Sequence, residues 1–299
     1  MPFEGISMQS DADNIPGHTA QGHMIAEHWA RLAITYEGAV AELRSRGIVP
    51  DKAIPEDLHE LDMIHMGGLA ATDSLAQLAE IGRDHNVLDV GSGVGGPARR
   101  IASKHGALVW GVELSAPLYQ TAVRLTELVD LQERVKFKLG SALALPFEGL
   151  EFDGVLMQHV AMQISEKSQL FGELSRVIRS GGYLAMHEIF GTKGEEPRYP
   201  LPWATEPAMS SLESLEDCLD RLTYLGFDIG NFLDLSEDGR QFHAQTIDAC
   251  NRVLDEEEGH QGLSMEATQI RLRASESMEQ NLRTGRIRVG MIVCYKKQG

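Results

Sequence analysis

The chain has 299 residues, 42% of them hydrophobic, which suffices for a full core and suits one large domain with an added cap. Its formal charge of -17, from 27 Lys and Arg against 44 Asp and Glu, argues against nucleic-acid binding, which needs clustered basic side chains. No run of eighteen apolar residues occurs and the N-terminal "MPFEGISMQSDADN" has no leader pattern, so a cytoplasmic protein without a membrane partner is expected.

Residues 1 to about 15 are polar and patternless and are expected to be loosely attached. From His23 to Arg46 the apolar positions Ile25, Trp29, Leu32, Ala33, Tyr36, Val40 and Leu43 recur at spacings of three and four, which predicts one helix ended by Gly47. A second helix is predicted over roughly Asp73 to Ile81, after the loop pair Gly67-Gly68. Strand-like and helix-like segments then alternate. "NVLDVG" (86–91) reads as a strand, "GPARRIASKHG" (96–106) as a helix, "ALVWGVEL" (107–114) as a strand and "APLYQTAVRLTELVDL" (116–131) as a helix. "VKFKLGSA" (135–142) and "FDGVLMQHV" (152–160) follow as strands, "EKSQLFGELSRVIRSGG" (166–182) as a helix closed by Gly181-Gly182, and "YLAMHEIF" (183–190) as a strand. Such alternation predicts an α/β fold with a doubly wound, mostly parallel sheet.

The tail departs from that pattern. A Pro-rich loop (195–207) leads to a helix (about 212–225), a strand "FDIGNFLDL" (227–235), two helical stretches between about 237 and 284, and a final strand "RIRVGMIVCYKK" (286–297). The acidic run Asp255 to Glu258 reads as solvated surface. Cys218, Cys250 and Cys294 are odd in number and form no CxxC pair, so they read as buried or incidental thiols, and no metal site is expected.

Between the first core strand and its helix, "VLDVGSGVGGPARRIA" places Gly91, Gly93, Gly95 and Gly96, where missing side chains let backbone amides approach a nucleotide-like cofactor. Gly91, Gly93 and Gly96 also satisfy the dinucleotide pattern, so the loop alone leaves two cofactor classes open. Asp89 favours S-adenosylmethionine, because a carboxylate at that strand end would repel a pyrophosphate but can accept from a cationic amino-acid group. Glu113 closes the next strand, where a carboxylate accepts ribose hydroxyls of either cofactor.

Four segments in register, "VLDVGSGVGG", "VEL", "GSALALPFEGLEFDGVLMQHVAMQI" and "LSRVIRSGGYLAMHEIF", resemble class I S-adenosylmethionine-dependent methyltransferases across roughly residues 61–190. The chain is similar above all to bacterial sarcosine/dimethylglycine N-methyltransferases and ubiquinone/menaquinone-type methyltransferases, including the loop "YPLPWA" and the ending "GRIRVGMIVCYKK". The resemblance implies a Rossmann-like seven-stranded sheet whose last strand is inserted antiparallel. It further implies an N-terminal helical cap (1–60), a methyltransferase domain (61–299), and a helical lid insertion at about 236–285. It assigns Asp89, Gly91, Ser92, Gly93 and Gly95 to the methionine part of S-adenosylmethionine, Glu113 to the ribose, and Leu114 to the flank of the adenine. Ser141 stands where the family commonly has an acid that reads the adenine amino group, so Ser141 and Ala142 are assigned there through hydroxyl and backbone. Gln158 and His159 end the fourth strand, where the family places residues that touch cofactor and acceptor.

Methyl transfer is an in-line displacement at a carbon activated by a sulfonium. It needs an acceptor held at about 3 Å in a site that excludes water, and a base only where the acceptor must lose a proton. His159 is the first candidate for that base, and His187 and Glu188, at the next strand's carboxyl edge, are further catalytic candidates that alternatively straddle the sheet. His159, Met162, Tyr199 and Trp203 are the substrate-binding candidates, the two aromatics as pocket walls or as loop anchors. Trp29, His28 and Tyr36 are read as core or lid contacts, and His65 and Met66 as a loop flanking the cofactor. A small-molecule methyl acceptor is expected, an amine being preferred. Oxygen or carbon of a natural-product, isoprenoid or quinone-like acceptor is the alternative, and an NAD-dependent oxidoreductase or a non-catalytic cofactor-binding protein are remote ones. A homo-oligomer is compatible with the sequence.

Overall fold

The computed structural model describes residues 15–255 and 265–298. The N-terminal stretch expected to be loosely attached, but for its last residue, and positions 256–258 of the acidic run lie outside them. Seven strands form one sheet: β1 (Asn86–Val90), β2 (Leu108–Glu113), β3 (Val135–Leu139), β4 (Phe152–Gln158), β5 (Ile178–Gly191), β6 (Phe227–Asp234) and β7 (Ile287–Lys296). Their order is β3-β2-β1-β4-β5-β7-β6, with β7 antiparallel to both neighbours and the pairs from β3 to β5 parallel. The chain reverses its direction of growth between β1 and β4. At that point the carboxyl ends of the strands open a crevice.

Val87, Leu88 and Val90 are fully buried because β1 is covered on both faces. One face packs on α4 (Gly68–Leu78) and α5 (Gly96–His105), the other on α7 (Lys167–Val177) and α8 (Leu215–Tyr224). The crossover from β2 to β3 carries α6 (Ala116–Leu128). Cys218, Cys250 and Cys294 are buried and unpaired, and among the described residues no cluster of His, Cys, Asp and Glu is arranged to hold a metal. Among the same residues, no helix is long and apolar enough to cross a membrane.

Several boundaries differ from expectation, each for a local reason. The single helix predicted over 23–46 is two, α1 (Ala20–Leu32) and α2 (Tyr36–Ser45), because the Thr35 hydroxyl accepts from the Gly38 amide and caps a new start. A short helix α3 (Pro55–Asp62) has no counterpart among the predicted elements; Pro55 supplies its first-turn φ and Asp57 accepts from the Ile54 amide. Helix α4 begins at Gly68 rather than Asp73, directly on the loop pair. Helix α7 stops at Val177, and the Gly181-Gly182 pair expected to close it lies within β5, where a Cβ on Gly182 would come within 2.7 Å of Asp153 O.

Helices α9 (Ser236–Asp255) and α10 (Met265–Arg283) stand between β6 and β7 and pack on each other. Helix α10 meets the 199–212 loop and α1 in a separate apolar cluster. Leu201, Trp203 and Met278 pack there against Ile189 of β5 and Ile287 and Val289 of β7, with Trp29 at the margin.

Candidate active site

The turn after β1 is shaped by what it touches. Gly91 has φ of 70°, and a Cβ there would lie 2.4 Å from Val160 Cγ2, so only glycine lets the post-β4 loop sit against the turn. The amides of Gly91 and Ser92 both donate to Val112 O, at 2.9 and 3.1 Å, which ties the turn to β2. Gly95, expected to contact the cofactor, does not line the cavity above this turn. It starts α5 with φ of 84°, and a Cβ on it would come within 2.7 Å of Arg99 Nη1 and Phe137 Cζ, so its role is helix packing.

That cavity has about 1110 Å³ of empty space, the open solvent at its mouth included. Its floor includes Asp89, Gly91, Ser92, Gly93, Glu113, Leu114, Ser141, Ala142 and Gln158, and α1 roofs it with Gly22, Ile25 and Trp29. Glu113 Oε2 accepts from the Gly93 amide at 2.9 Å and Oε1 from the Ser115 amide at 2.8 Å, which fixes the carboxylate at the end of β2 with lone pairs to spare. Burial raises its pKa, and these backbone donors offset part of the rise. Asp89 is buried with Oδ2 unpartnered, and desolvation, then the charge of Glu113, pushes its carboxyl up to about 7. Ser92 Oγ and Gln158 Nε2 are also buried without partners. Ser141 lines the cavity, and its hydroxyl donates to Gly17 O and accepts from the Leu143 amide, both at 3.1 Å, which fastens the segment before α1 over it.

Three imidazoles stand at one end. His159 follows β4 with φ of 57°, and its amide donates to His187 O at 2.8 Å. Its ring lies 4.5 Å from that of His187, nearly edge-on, and His65 is 6.3 Å from both. Desolvation lowers all three, His65 to about 4, His187 to about 3 and His159 well below its usual value, so the rings are neutral at pH 7. His159 Nε2 has no partner, whereas His65 Nε2 lies 3.0 Å from Gly68 O.

A second cavity, with about 1580 Å³ of empty space, shares Trp29, Ile64, His65 and His159 with the first, so the two meet at the imidazoles. Its walls are mainly apolar, with Met162, Ile189, Trp203, Met278 and Ile270 among them. Trp203 is anchored by its Nε1 donating to Ser210 Oγ at 3.2 Å. Tyr199 packs in the surrounding cluster but lines neither cavity. His187 likewise lines neither, and supports His159 from beneath.

Glu188 is on the opposite side of the sheet from His187, as successive strand residues must be, and both are buried because β5 is covered on both faces. Its Oε1 accepts from the Val160 and Ala161 amides at 2.9 and 3.1 Å, and it lies in a small separate cavity with Lys167, Glu213 and Cys218. Glu188 therefore holds the loop carrying His159 from behind, which corrects the expectation of a catalytic acid. Sequence reading also missed Asp62, Ile64, Gln163 and His243. Gln163 had no motif to reveal it, yet its Oε1 accepts from Trp29 Nε1 at 2.6 Å and its Nε2 donates to His159 O at 2.9 Å.

Residues 88–186 match a family described as a methyltransferase domain. The Streptomyces halstedii methyltransferase GfsG is 30% identical over 201 residues, covering 66% of this chain and 72% of that protein. A sterol methyltransferase-like protein of Botryococcus braunii is 32% identical over 124 residues, covering 42% of this chain and 32% of its own length. A crystal structure described as a putative sarcosine dimethylglycine methyltransferase from Galdieria sulphuraria shares the fold with a TM-score of 0.66 at 18% identity, covering 78% of this chain and 86% of the other. With the glycine turn, the paired strand-end carboxylates and the seven-stranded order beside these likenesses, the chain belongs to the class I S-adenosylmethionine-dependent methyltransferases.

Proposed function

We propose that this enzyme methylates a hydroxyl group of a largely apolar small molecule, the acceptor lying in the second cavity with its reacting atom at His159. The observation that carries the reading is the junction of the two cavities at neutral imidazoles, with mainly apolar walls beyond them. An amine acceptor attacks only as its free base, so one bound as an ammonium would need a group in this cavity to hold it and take its proton. Glu60 is the acid lining this cavity, and its side chain is 80% exposed and paired with Arg46 at 2.9 Å.

The cofactor cavity fits S-adenosylmethionine: Asp89, Ser92 and Gln158 present unpartnered polar atoms for its amino-acid half, and Glu113 presents a carboxylate for its ribose. Bound there, the cofactor supplies an electrophilic methyl group on a sulfonium. His159 Nε2, neutral and without a partner, accepts a hydrogen bond from the acceptor hydroxyl and takes its proton as the oxygen attacks. Neutral His65 and His187 add no positive charge beside a sulfonium, which an imidazolium would repel. Helix α1 and the α9–α10 pair, as cap and lid, exclude water that would compete for the methyl group.

Labelled S-adenosylmethionine offered with panels of sterols, prenyl alcohols, phenols and small amines tests this. Label incorporation into apolar hydroxyl compounds is expected. Turnover confined to sarcosine, dimethylglycine or other amines would sink it.

A further inference from the structure

We propose that Asp62, at the end of α3 and outside the glycine turn, is a second carboxylate ligand for the α-ammonium of the cofactor's methionine half. Among the residues that line the cofactor cavity, five carry a buried side-chain atom without a partner among the described residues: Asp62 Oδ1, Asp89 Oδ2, Ser92 Oγ, Gln158 Nε2 and His159 Nε2. His159 serves the acceptor side. The other four divide into two carboxylate acceptors and two groups able to donate, which complements an amino-acid zwitterion. Leaving such atoms unpaired in the interior is costly, so a ligand that pairs them gains what the empty site lacks.

Asp62 is held for this role. It is 1% exposed, and its Oδ2 accepts from Arg99 Nη2 at 2.9 Å. The guanidinium is held on the protein side as well, with Nη2 donating to Val94 O at 2.7 Å and Nη1 to Thr126 Oγ1 at 2.9 Å and Ala122 O at 3.3 Å, while its buried Nε has no partner among the described residues. Arg99 thus fixes the carboxylate plane and leaves Oδ1 without a partner, on a residue that lines the cavity. The carboxylate also lies beside the turn that binds the cofactor. A Cβ on Gly96, in the first turn of α5, would come within 2.4 Å of Asp62 O and 2.9 Å of Asp62 Cγ. An ammonium carries three donors, and one strand-end carboxylate at Asp89 satisfies only part of them.

Calorimetry with S-adenosylhomocysteine and 5′-methylthioadenosine, which lacks the amino-acid half, tests the proposal on Asp62→Asn. Arg99 selects the rotamer that keeps the Asn oxygen on the guanidinium, so an NH₂ donor replaces Oδ1 toward the cavity. The preference for S-adenosylhomocysteine over methylthioadenosine is expected to fall roughly 10- to 100-fold, the scale of a charge-assisted hydrogen bond, with methylthioadenosine affinity retained. An unchanged preference, even if both ligands weaken, overturns it and leaves Asp62 as a partner of Arg99 alone. Should Asp62→Asn fail to fold, the pair Asp62→Leu with Arg99→Met removes both buried charges together, and the same ratio is read. A structure of the wild-type protein with S-adenosylhomocysteine needs no substitution: an ammonium more than about 4 Å from Asp62 Oδ1 overturns the proposal. Wild-type protein that binds neither ligand would overturn the cofactor assignment as well.

Discussion

The two cavities that meet at His159 are built in opposite ways. The cofactor cavity takes most of its floor from strand ends and the turns that follow them, so its polar groups are fixed by backbone donors such as the Gly93 and Ser115 amides on Glu113. The cavity proposed for the acceptor draws walls from α1, the loop after β4, the 200–205 loop and both α9 and α10, segments far apart in the sequence. A site made from backbone at a sheet's switch point can be kept while the other is rebuilt. That is how one fold serves different acceptors.

Four substitutions break or sharpen this contrast. The largest effect is expected at the junction: His159→Ala should lower kcat about 10²- to 10⁴-fold, as loss of a general base does, with S-adenosylhomocysteine affinity within a few-fold of wild type. Unaltered kcat would remove the base from the mechanism. Next comes the turn. Gly91→Ala sets a Cβ 2.4 Å from Val160 Cγ2 at φ of 70°, and is expected to cost about 1–3 kcal/mol of stability and to weaken S-adenosylhomocysteine in calorimetry. Full cofactor affinity in that variant would show that the loop after β4 can yield.

On the acceptor side, Ile270→Asp places a charge at a position 47% exposed on the lid wall, where stability should hardly change. The acceptor KM should rise about tenfold, worth about 1.4 kcal/mol, while cofactor binding stays as it was. An unchanged KM would move the acceptor elsewhere.

The smallest effect concerns Glu188, whose carboxyl burial pushes up to about 7 from an ordinary value of 4.5. The folded protein holds this proton at pH values where the unfolded chain has lost it, so ionisable Glu188 costs stability as pH rises from about 4.5 to 7 and no further above that. Glu188→Gln keeps an acceptor for the Val160 and Ala161 amides and lacks the titration. Wild type should therefore lose about 1 kcal/mol or more relative to the variant between pH 5 and 7, read by denaturant unfolding. A difference that is flat with pH would place the carboxylate in a better solvated setting than its burial indicates.

How much was legible in the sequence follows the same division. Asp89, Gly91 and Glu113 were readable because strand periodicity and glycine spacing are local, and the strand ends they mark become the cavity floor without further information. Gly95, Ser141 and Glu188 have the right residue type in the right register, and each also makes contacts that the pattern did not foretell. Their partners, Phe137, Gly17 and the Val160 amide, are distant in sequence or on the far side of the sheet. Thr35 shows the same at a boundary: a helical stripe crossed a capping hydroxyl that periodicity alone does not register.

By itself, then, the sequence determined the alternation of strands and helices and the glycine turn after β1, because each rests on short-range pattern and backbone geometry. Only the tertiary structure decided which atoms remain unpaired in the cavity, that His187 and Glu188 face opposite sides of β5, and that His65 joins His159 at the junction. Those are matters of burial and of contacts between segments that meet only when the sheet and its covering helices are in place.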